Sequence, residues 1–273
     1  MTQLQEAVVL ITGAAGGFGQ ELTRQLLMAG SRLILTDLDS DVLHKRVEII
    51  QRQVSTGEIL ACLAVDLAST EGCQTLYAQV KALDIPVDIL INNAGIGLVG
   101  RMDEVPLPQW ERLMQVNLLT PMRLSALFAT DMIAHKKGHI VSISSLAGWV
   151  STAGMVHYSA SKFGLRGFSE GLFNELKPYN IKVTAVYPFF SRTPILQSER
   201  YGTFAEKNQN LPDYLITDPA KVMRQTIQGI VCDRLEVFPD AIARNSHLLK
   251  RYFPRFFYWI ADGFARRIKD EAI

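Results

Sequence analysis

A chain of 273 residues with 48% hydrophobic and 20% charged side chains is long enough for one large domain or two small ones with a sizeable core. Its 28 basic and 27 acidic residues leave a net charge of +1, which gives no reason to expect nucleic acid as a partner. The three cysteines are scattered and form no disulfide framework or Cys/His cluster, so we expect no metal and a reduced, cytoplasmic compartment.

Short apolar or β-branched runs alternate along the chain with longer segments of helical pattern, such as 19–29, 69–82, 109–134 and 158–177. Several of the runs are continuously apolar, as expected for parallel strands covered on both faces. The alternation predicts one α/β domain with a doubly wound parallel sheet and helices on both faces. The predicted strands are Ala7–Thr12, Arg32–Thr36, Leu60–Val65, Ile89–Asn92, His139–Ser144, Val183–Tyr187 and Leu235–Val237.

The first predicted strand runs directly into a glycine-rich segment, Thr12-Gly-Ala-Ala-Gly-Gly-Phe-Gly19, and a helical pattern follows at once. Gly13 permits a sharp turn, Gly17 lets the backbone approach a pyrophosphate, and Gly19 allows close helix packing. Backbone N–H groups at the start of the helix, in the stretch that includes Phe18, would face the phosphates. The spacing is GxxxGxG rather than the commoner GxGxxG, but its place between strand and helix predicts a dinucleotide site.

Two carboxylates at strand ends are candidate cofactor ligands. Asp37 follows Gly19 by 18 residues, where a carboxylate accepts hydrogen bonds from an adenosine ribose and repels a 2′-phosphate. Since no basic residue adjoins it, NAD is expected and NADP is less suited. Asp39 is the competing candidate, and either carboxylate could instead cap the next helix. Asp66 could accept a hydrogen bond from an adenine amino group or, alternatively, cap the helix that follows it.

Tyr158 and Lys162 stand four residues apart in a helical pattern, so they share one face of the helix. At about 4 Å and an effective dielectric of about 20, the ammonium would stabilise a phenolate enough to lower its pKa by as much as about 3 units. Ser145 lies 13 residues before the tyrosine at the end of a predicted strand, where its hydroxyl could hold a substrate oxygen. Alone, the Tyr/Lys spacing is also compatible with a partly exposed helix face.

Taken together, these segments resemble the short-chain dehydrogenase/reductase family. The resemblance covers residues 7 to about 195 closely. It implies a single Rossmann-type domain that binds a nicotinamide cofactor, uses no metal, and forms a homodimer or homotetramer. It rests on Thr12-Gly-x-x-x-Gly-x-Gly19, Asp66, Asn92-Asn-Ala-Gly95, Asn117, Ser145, Tyr158-x-x-x-Lys162, and Pro188 with Thr193.

The resemblance also implies a role for each catalytic position. Tyr158 is expected to be the catalytic acid/base, and Lys162 to lower its pKa and hold the nicotinamide ribose. Ser145, rather than the neighbouring Ser144, matches the catalytic serine by its distance from the tyrosine. Asn117 matches the asparagine through which the family relays protons to solvent.

Further positions are expected to contact the cofactor. Asn93, Ala94 and Gly95 resemble the segment beside the adenosine, and Pro188 with Thr193 resembles the segment near the nicotinamide carboxamide. Glycine usually follows that proline in the family, whereas this chain has Phe189. Because a side chain restricts positive φ, this departure bears on the shape of the nicotinamide pocket.

Two segments outside these motifs carry further expectations. Residues 188–218 hold Pro, Ser, Gly and Asn and are predicted to form a mobile substrate lid. Residues 250–269 combine seven aromatic and six basic side chains with one acid, Asp262. This aromatic and basic segment fits packing onto the body or a second subunit, a lid over an apolar substrate, or a peripheral membrane contact.

The sequence therefore predicts an NAD-dependent oxidoreductase of residues 1–273 that acts on an alcohol or ketone. The aromatic residues Phe189, Phe190 and those of the tail favour a lipophilic substrate of steroid, retinoid or acyl-chain type. The alternatives are a reductase of small polar carbonyls and a non-catalytic protein that senses NAD. The sensor should lack part of the Asn-Ser-Tyr-Lys set, and this chain has all of it.

Overall fold

The computed structural model describes residues 1–205 and 212–260. A seven-stranded, wholly parallel sheet forms its centre, with the strand order β3-β2-β1-β4-β5-β6-β7. The predicted fold class is confirmed, and the strand ends differ from the predicted ones by no more than two residues. The strands are β1 (Val8–Thr12), β2 (Arg32–Asp37), β3 (Glu58–Ala64), β4 (Ile89–Asn92), β5 (Gly138–Ile143), β6 (Ile181–Val186) and β7 (Glu236–Val237).

Helices cover both faces of the sheet, and residues 254–260 are also helical. The α-helices are α1 (Gly17–Met28), α2 (Ser40–Gln51), α3 (Thr70–Lys81), α4 (Leu107–Met114), α5 (Thr120–His135), α6 (Val156–Leu176), α7 (Pro219–Val231) and α8 (Ala241–Tyr252). No helix within the described ranges is long and apolar enough to cross a membrane.

The alternation of side chains along each strand explains why helices are needed on both faces. Val9 and Ile11 of β1 pack into a core with α1, α2 and α7. Val8 and Leu10 of the same strand pack into a second core with α3, α5 and α6. All five residues of β1 are buried, which is why the strand reads as a continuous apolar run.

The direction of strand order reverses at β1, whose neighbours are β2 on one side and β4 on the other. In doubly wound sheets, ligands bind in the crevice outside the carboxyl ends of the strands at such a point. Thr12 and Asn92 are the last residues of the two strands there. The glycine-rich turn and the Asn92–Gly95 segment therefore meet at this crevice.

Candidate active site

The glycine-rich turn leads into the N-terminus of α1, whose backbone N–H groups could bind a phosphate. Gly13 has a φ of +64°, and a Cβ there would lie 2.8 Å from the Cα of Ala94. A Cβ at Gly19 would lie 2.1 Å from the carbonyl oxygen of Gly13, so this position accepts no larger residue without rearrangement. Helix α1 begins at Gly17, and no side chain among the described residues caps it. Its first N–H groups, including that of Phe18, are available to an anion.

Thr12 joins the glycine-rich turn to the asparagine segment. Its Oγ1 accepts hydrogen bonds from the N–H groups of Asn93 and Ala94, both at 3.0 Å. In return, Nδ2 of Asn93 donates to the carbonyls of Thr12 and Gly13, both at 2.9 Å. The sequence argument assigned Thr12 no role. The available signal was a hydroxyl residue at the end of an otherwise apolar strand, where burial demands a hydrogen-bond partner.

The structure separates the two carboxylates that competed at the end of β2. Asp39 caps α2, since its Oδ1 accepts the N–H of Val42 at 3.0 Å. Asp37 caps no helix. Its Oδ2 accepts the N–H of Ala15 in the glycine-rich turn, and its Oδ1 accepts that of Leu38, each at 2.8 Å. The half-buried Asp37 carboxylate therefore lies against the turn, where a ribose ligand of a dinucleotide is needed.

Asp66 likewise leaves the capping role to another residue. Ser69 caps α3 by accepting the N–H of Gly72 at 3.0 Å. Oδ1 of Asp66 accepts the N–H of Ala68 at 3.0 Å, and Oδ2 lies 3.6 Å from Nη2 of Arg112. The exposed Asp66 side chain is thus held at the rim of the crevice by one backbone bond and one loose ion pair.

The predicted tyrosine, lysine and serine come together at the carboxyl end of β5. Tyr158 and Lys162 are buried on one face of α6, with Nζ of Lys162 lying 5.6 Å from the tyrosine ring centroid. That Nζ donates to the carbonyl of Ile143 at 3.1 Å. Ser145 faces the Tyr158 hydroxyl, whereas Ser144 turns towards α6 and donates to the carbonyl of Lys162 at 3.2 Å.

Asn117 lies in a π-helical turn, Gln115–Leu119, that separates α4 from α5. The helical pattern over 109–134 is confirmed, with a π-helical turn at its centre. Pro121 has no N–H to donate to the Asn117 carbonyl four residues earlier, so regular α-helical bonding cannot continue there. The buried Asn117 side chain accepts the N–H of Ile96 and donates to its carbonyl, both at 2.9 Å. A further bond of 3.3 Å reaches Oγ of Ser161.

Burial controls the charges of the central pair. It raises the pKa of Tyr158 to about 12, and the hydrogen bond with Ser145 offsets only part of this effect. It lowers the pKa of Lys162 to about 8. Desolvation of the buried ring dominates the pKa of Tyr158. The lowering by Lys162 that the resemblance implies stays a prediction.

An apolar cluster packs around the tyrosine. Tyr158 packs with Leu98, Val105 and Leu113. Partly buried apolar side chains extend this cluster, and they include Ile96, Trp110, Met114, Ala147, Met155 and Tyr201. A substrate that reaches the Tyr158 hydroxyl therefore meets mainly hydrocarbon and aromatic surface.

Phe189 occupies the position where the family usually has glycine, and its φ is not positive. The substitution therefore imposes no left-handed strain on the backbone. The Phe189 N–H donates to Oδ2 of Asp240 at 2.9 Å, and its ring lies edge-on to Phe190 at 4.9 Å between centroids. Nearby, Thr193 lies so close to Gly17 that a Cβ on the glycine would lie 2.5 Å from the threonine Cγ2.

The predicted lid, residues 188–218, is described except for residues 206–211. Its first part packs on the loop that follows β4: the N–H of Tyr201 donates to the carbonyl of Val99 at 2.9 Å. The Glu104 carboxylate accepts both the N–H and the hydroxyl of Thr203, each at 2.9 Å. The ring of Phe204 contacts Gly154, which precedes α6. This part of the segment therefore bridges the two loops on either side of the apolar cluster.

Comparison with known proteins identifies the family. Residues 7–202 match the family model described as short chain dehydrogenase. The chain is 30% identical over 253 residues to 3-ketodihydrosphingosine reductase of Bos taurus, which covers 90% of this chain and 74% of that protein. It is 32% identical over 257 residues to epidermal retinol dehydrogenase 2 of Mus musculus, which covers 93% of this chain and 75% of that protein.

The fold agrees with this match. The solved short-chain dehydrogenase from Sphingobium yanoikuyae in complex with NADPH has a TM-score of 0.76 at 26% identity, over 98% of this chain and 96% of that one. Together with the glycine-rich turn and the Ser/Tyr/Lys arrangement at the sheet edge, these matches show that the chain belongs to the short-chain dehydrogenase family of nucleotide-dependent oxidoreductases.

Proposed function

We propose that this protein is an NAD-dependent alcohol dehydrogenase or ketoreductase that acts on a lipophilic substrate. The observation that carries the proposal is the position of the Tyr158 hydroxyl. The hydroxyl hydrogen-bonds with Ser145, Nζ of Lys162 lies 5.6 Å from the tyrosine ring centroid, and the side chain packs in the apolar cluster of Leu98, Val105 and Leu113. A proton donor in such surroundings suits a carbonyl group carried on an apolar skeleton.

The residues at the switch point fit a nicotinamide dinucleotide. The glycine-rich turn and the first N–H groups of α1 would hold the pyrophosphate, and Asp37 the adenosine ribose. Asn93–Gly95, Pro188 and Thr193 would line the remainder, with Lys162 at the nicotinamide ribose. When bound, the cofactor supplies or accepts the hydride. Asp37 favours NAD, although the similar Sphingobium protein was solved with NADPH.

Proton transfer is the step that this chain's own residues perform. In reduction, Tyr158 donates its proton to the substrate oxygen while Ser145 holds that oxygen in place. Because burial raises the pKa of Tyr158 to about 12, the phenol carries its proton at neutral pH. The protonated phenol is the form from which reduction begins. In oxidation Tyr158 must act as a phenolate, and Asn117 and Lys162 would pass the proton outward.

The names of the relatives point to the same substrate class. One is a 3-ketodihydrosphingosine reductase and another a retinol dehydrogenase, and both names denote lipophilic molecules. A small polar carbonyl would find few hydrogen-bond partners in the apolar cluster, so that alternative has less support. We retain a homodimer or homotetramer as the expected assembly, and a cytoplasmic protein, with or without membrane association, as the expected setting.

Cofactor choice tests the role of Asp37. Wild-type protein is expected to bind NADH about tenfold or more tightly than NADPH, because the carboxylate repels a 2′-phosphate. Asp37→Ala should reduce this preference, and fluorescence titration of both cofactors measures it. Asp39→Ala is the matched control: it removes the α2 cap and lowers stability by about 1 kcal/mol without altering the preference. Equal or tighter binding of NADPH by the wild type contradicts the assignment.

Glu104 provides a test of the lid. Its carboxylate lies in the loop after β4 and accepts two hydrogen bonds from Thr203. It also forms an ion pair with Arg101 at 3.1 Å. Glu104→Ala is expected to raise KM for a lipophilic substrate roughly tenfold, since hydrogen bonds to a charged group contribute about 1.5–3 kcal/mol. Cofactor affinity should not change.

Asp103→Ala is the matched control for Glu104→Ala. Asp103 is an exposed carboxylate that also pairs with Arg101, but the carboxylate that bonds Thr203 is that of Glu104. Steady-state kinetics with a homologous series of ketones gives KM and kcat separately. If Glu104→Ala and Asp103→Ala have the same KM as the wild type, the segment is not held over the substrate by Glu104.

A further inference from the structure

Six large apolar side chains near the end of the described chain are exposed. We call them the C-terminal aromatic surface: Tyr252, Phe253, Phe256, Tyr258, Trp259 and Ile260, which are between 41% and 71% exposed. Packing onto the body was one expectation for the 250–269 segment, and it is wrong for these six side chains. Residues 261–269 lie outside the described part of the chain. Contiguous exposed apolar patches usually mark an interaction surface.

The exposed side chains are arranged on a helix. Phe256, Trp259 and Ile260 stand at the spacing i, i+3 and i+4, so they share one face of the turns formed by 254–260, and Phe253 directly precedes the first turn. The Phe256 ring stacks on that of Trp259, at 5.8 Å between centroids and 15° between planes. At least Phe256 and Trp259 of the surface therefore present a joint aromatic face.

All charged side chains of residues 241–260 are basic, and the next acid along the chain is Asp262. Residues 241–260 contain Arg244, Lys250, Arg251 and Arg255 and no Asp or Glu. Arg251 interacts electrostatically with the carboxylate of Glu236, which belongs to the body of the protein. Both residues line the same cavity. Exposed aromatic residues beside cations, without acids in the same segment, form the pattern of an interfacial amphipathic helix.

The base of the surface is attached to the body of the protein. Nζ of Lys250 donates to the carbonyl of Trp149 at 2.5 Å and lies 5.6 Å from the ring of Tyr258 and 5.7 Å from that of Phe163. Trp149 follows Ser145 by four residues, and Phe163 follows Lys162 directly. The aromatic surface is therefore anchored to the two chain segments that carry the candidate catalytic groups.

We propose that the C-terminal aromatic surface docks on an anionic lipid bilayer. Aromatic rings settle at the boundary between headgroups and acyl chains, and each nearby cation adds attraction to acidic lipids. A second copy of the same surface is a poorer occupant, because a two-fold contact would bring the four cations of one copy against those of the other. The proposal does not depend on the catalytic assignment. If both hold, the bilayer from which a lipophilic substrate would come lies next to the candidate active site.

Vesicle flotation of the full-length protein tests the proposal. The probes are vesicles of phosphatidylcholine alone and of phosphatidylcholine mixed with phosphatidylglycerol. Wild-type protein is expected to float with the mixed vesicles, to bind the neutral ones at least tenfold more weakly, and to lose binding as sodium chloride rises from about 0.05 M to about 0.5 M. The triple variant Phe253→Ser/Phe256→Ser/Trp259→Ser should bind mixed vesicles at least tenfold more weakly than the wild type.

The control is Met28→Ser/Ile49→Ser, which removes two exposed apolar side chains from α1 and α2 and should float like the wild type. Thermal unfolding and turnover of a water-soluble ketone in the triple variant should match the wild type, since the replaced side chains are exposed. Failure of the wild type to bind mixed vesicles overturns the proposal. So does equal binding by the triple variant, or a triple variant that changes only the oligomeric mass. None of these outcomes bears on catalysis, which the turnover assay reports separately.

Discussion

Tyr158→Phe is expected to lower turnover about 10²- to 10⁴-fold, because the substitution removes only the group that gives the proton to the substrate oxygen. The ring stays in place against Leu98, Val105 and Leu113, so the fold and the affinity for cofactor should be nearly unchanged. Steady-state turnover of a lipophilic ketone and fluorescence titration with NADH measure the two quantities independently.

Controls for this prediction come from outside the site and from within it. Tyr77→Phe removes a phenol that donates to Asp131 on the far side of the domain, and it should leave turnover unchanged. Ser145→Ala should lower turnover, whereas Ser144→Ala should alter only the bond to the Lys162 carbonyl. Near-normal turnover by Tyr158→Phe would show that the proton comes from elsewhere and that the proposed mechanism is wrong.

Asn117→Ala is expected to lower the free energy of unfolding by about 2–4 kcal/mol and to reduce turnover. The variant leaves the N–H and the carbonyl of Ile96 without their partner in a buried site, and each unsatisfied group costs about 1–3 kcal/mol. Ile96 follows the Asn93–Gly95 segment and belongs to the apolar cluster around Tyr158, so its displacement affects both sides of the crevice.

Chemical denaturation and turnover together test the role of Asn117. Asn174→Ala is the matched control, because Asn174 is an exposed asparagine on α6 whose side chain donates to the Glu170 carbonyl one turn earlier. That variant should unfold within about 0.5 kcal/mol of the wild type. An Asn117→Ala protein as stable as Asn174→Ala would contradict the structural role, and would leave only the proton relay that the family resemblance implies.

The sequence alone determined the architecture. Parallel strands buried on both faces must be apolar along their whole length, so seven short apolar runs separated by helical patterns admit few arrangements other than a doubly wound sheet. Local spacing likewise restricted the dinucleotide turn, since Gly13 and Gly19 stand where backbone contacts exclude any Cβ. For the strands and for Gly19, whose Cβ would meet Gly13 and Ala14, the controlling interactions are local and a sequence pattern reports them directly, whereas the close contact at Gly13 comes from Ala94.

Other properties depended on contacts between residues far apart in the chain. The sequence favoured Asp37 over Asp39 but left both able to cap a helix, and only their contacts show that Asp39 caps α2 while Asp37 meets the glycine-rich turn. The pKa of Tyr158 rises rather than falls because desolvation depends on everything packed around the ring. Composition also could not decide whether the aromatic residues of 250–260 are covered, since their burial depends on how this part of the chain lies against the body.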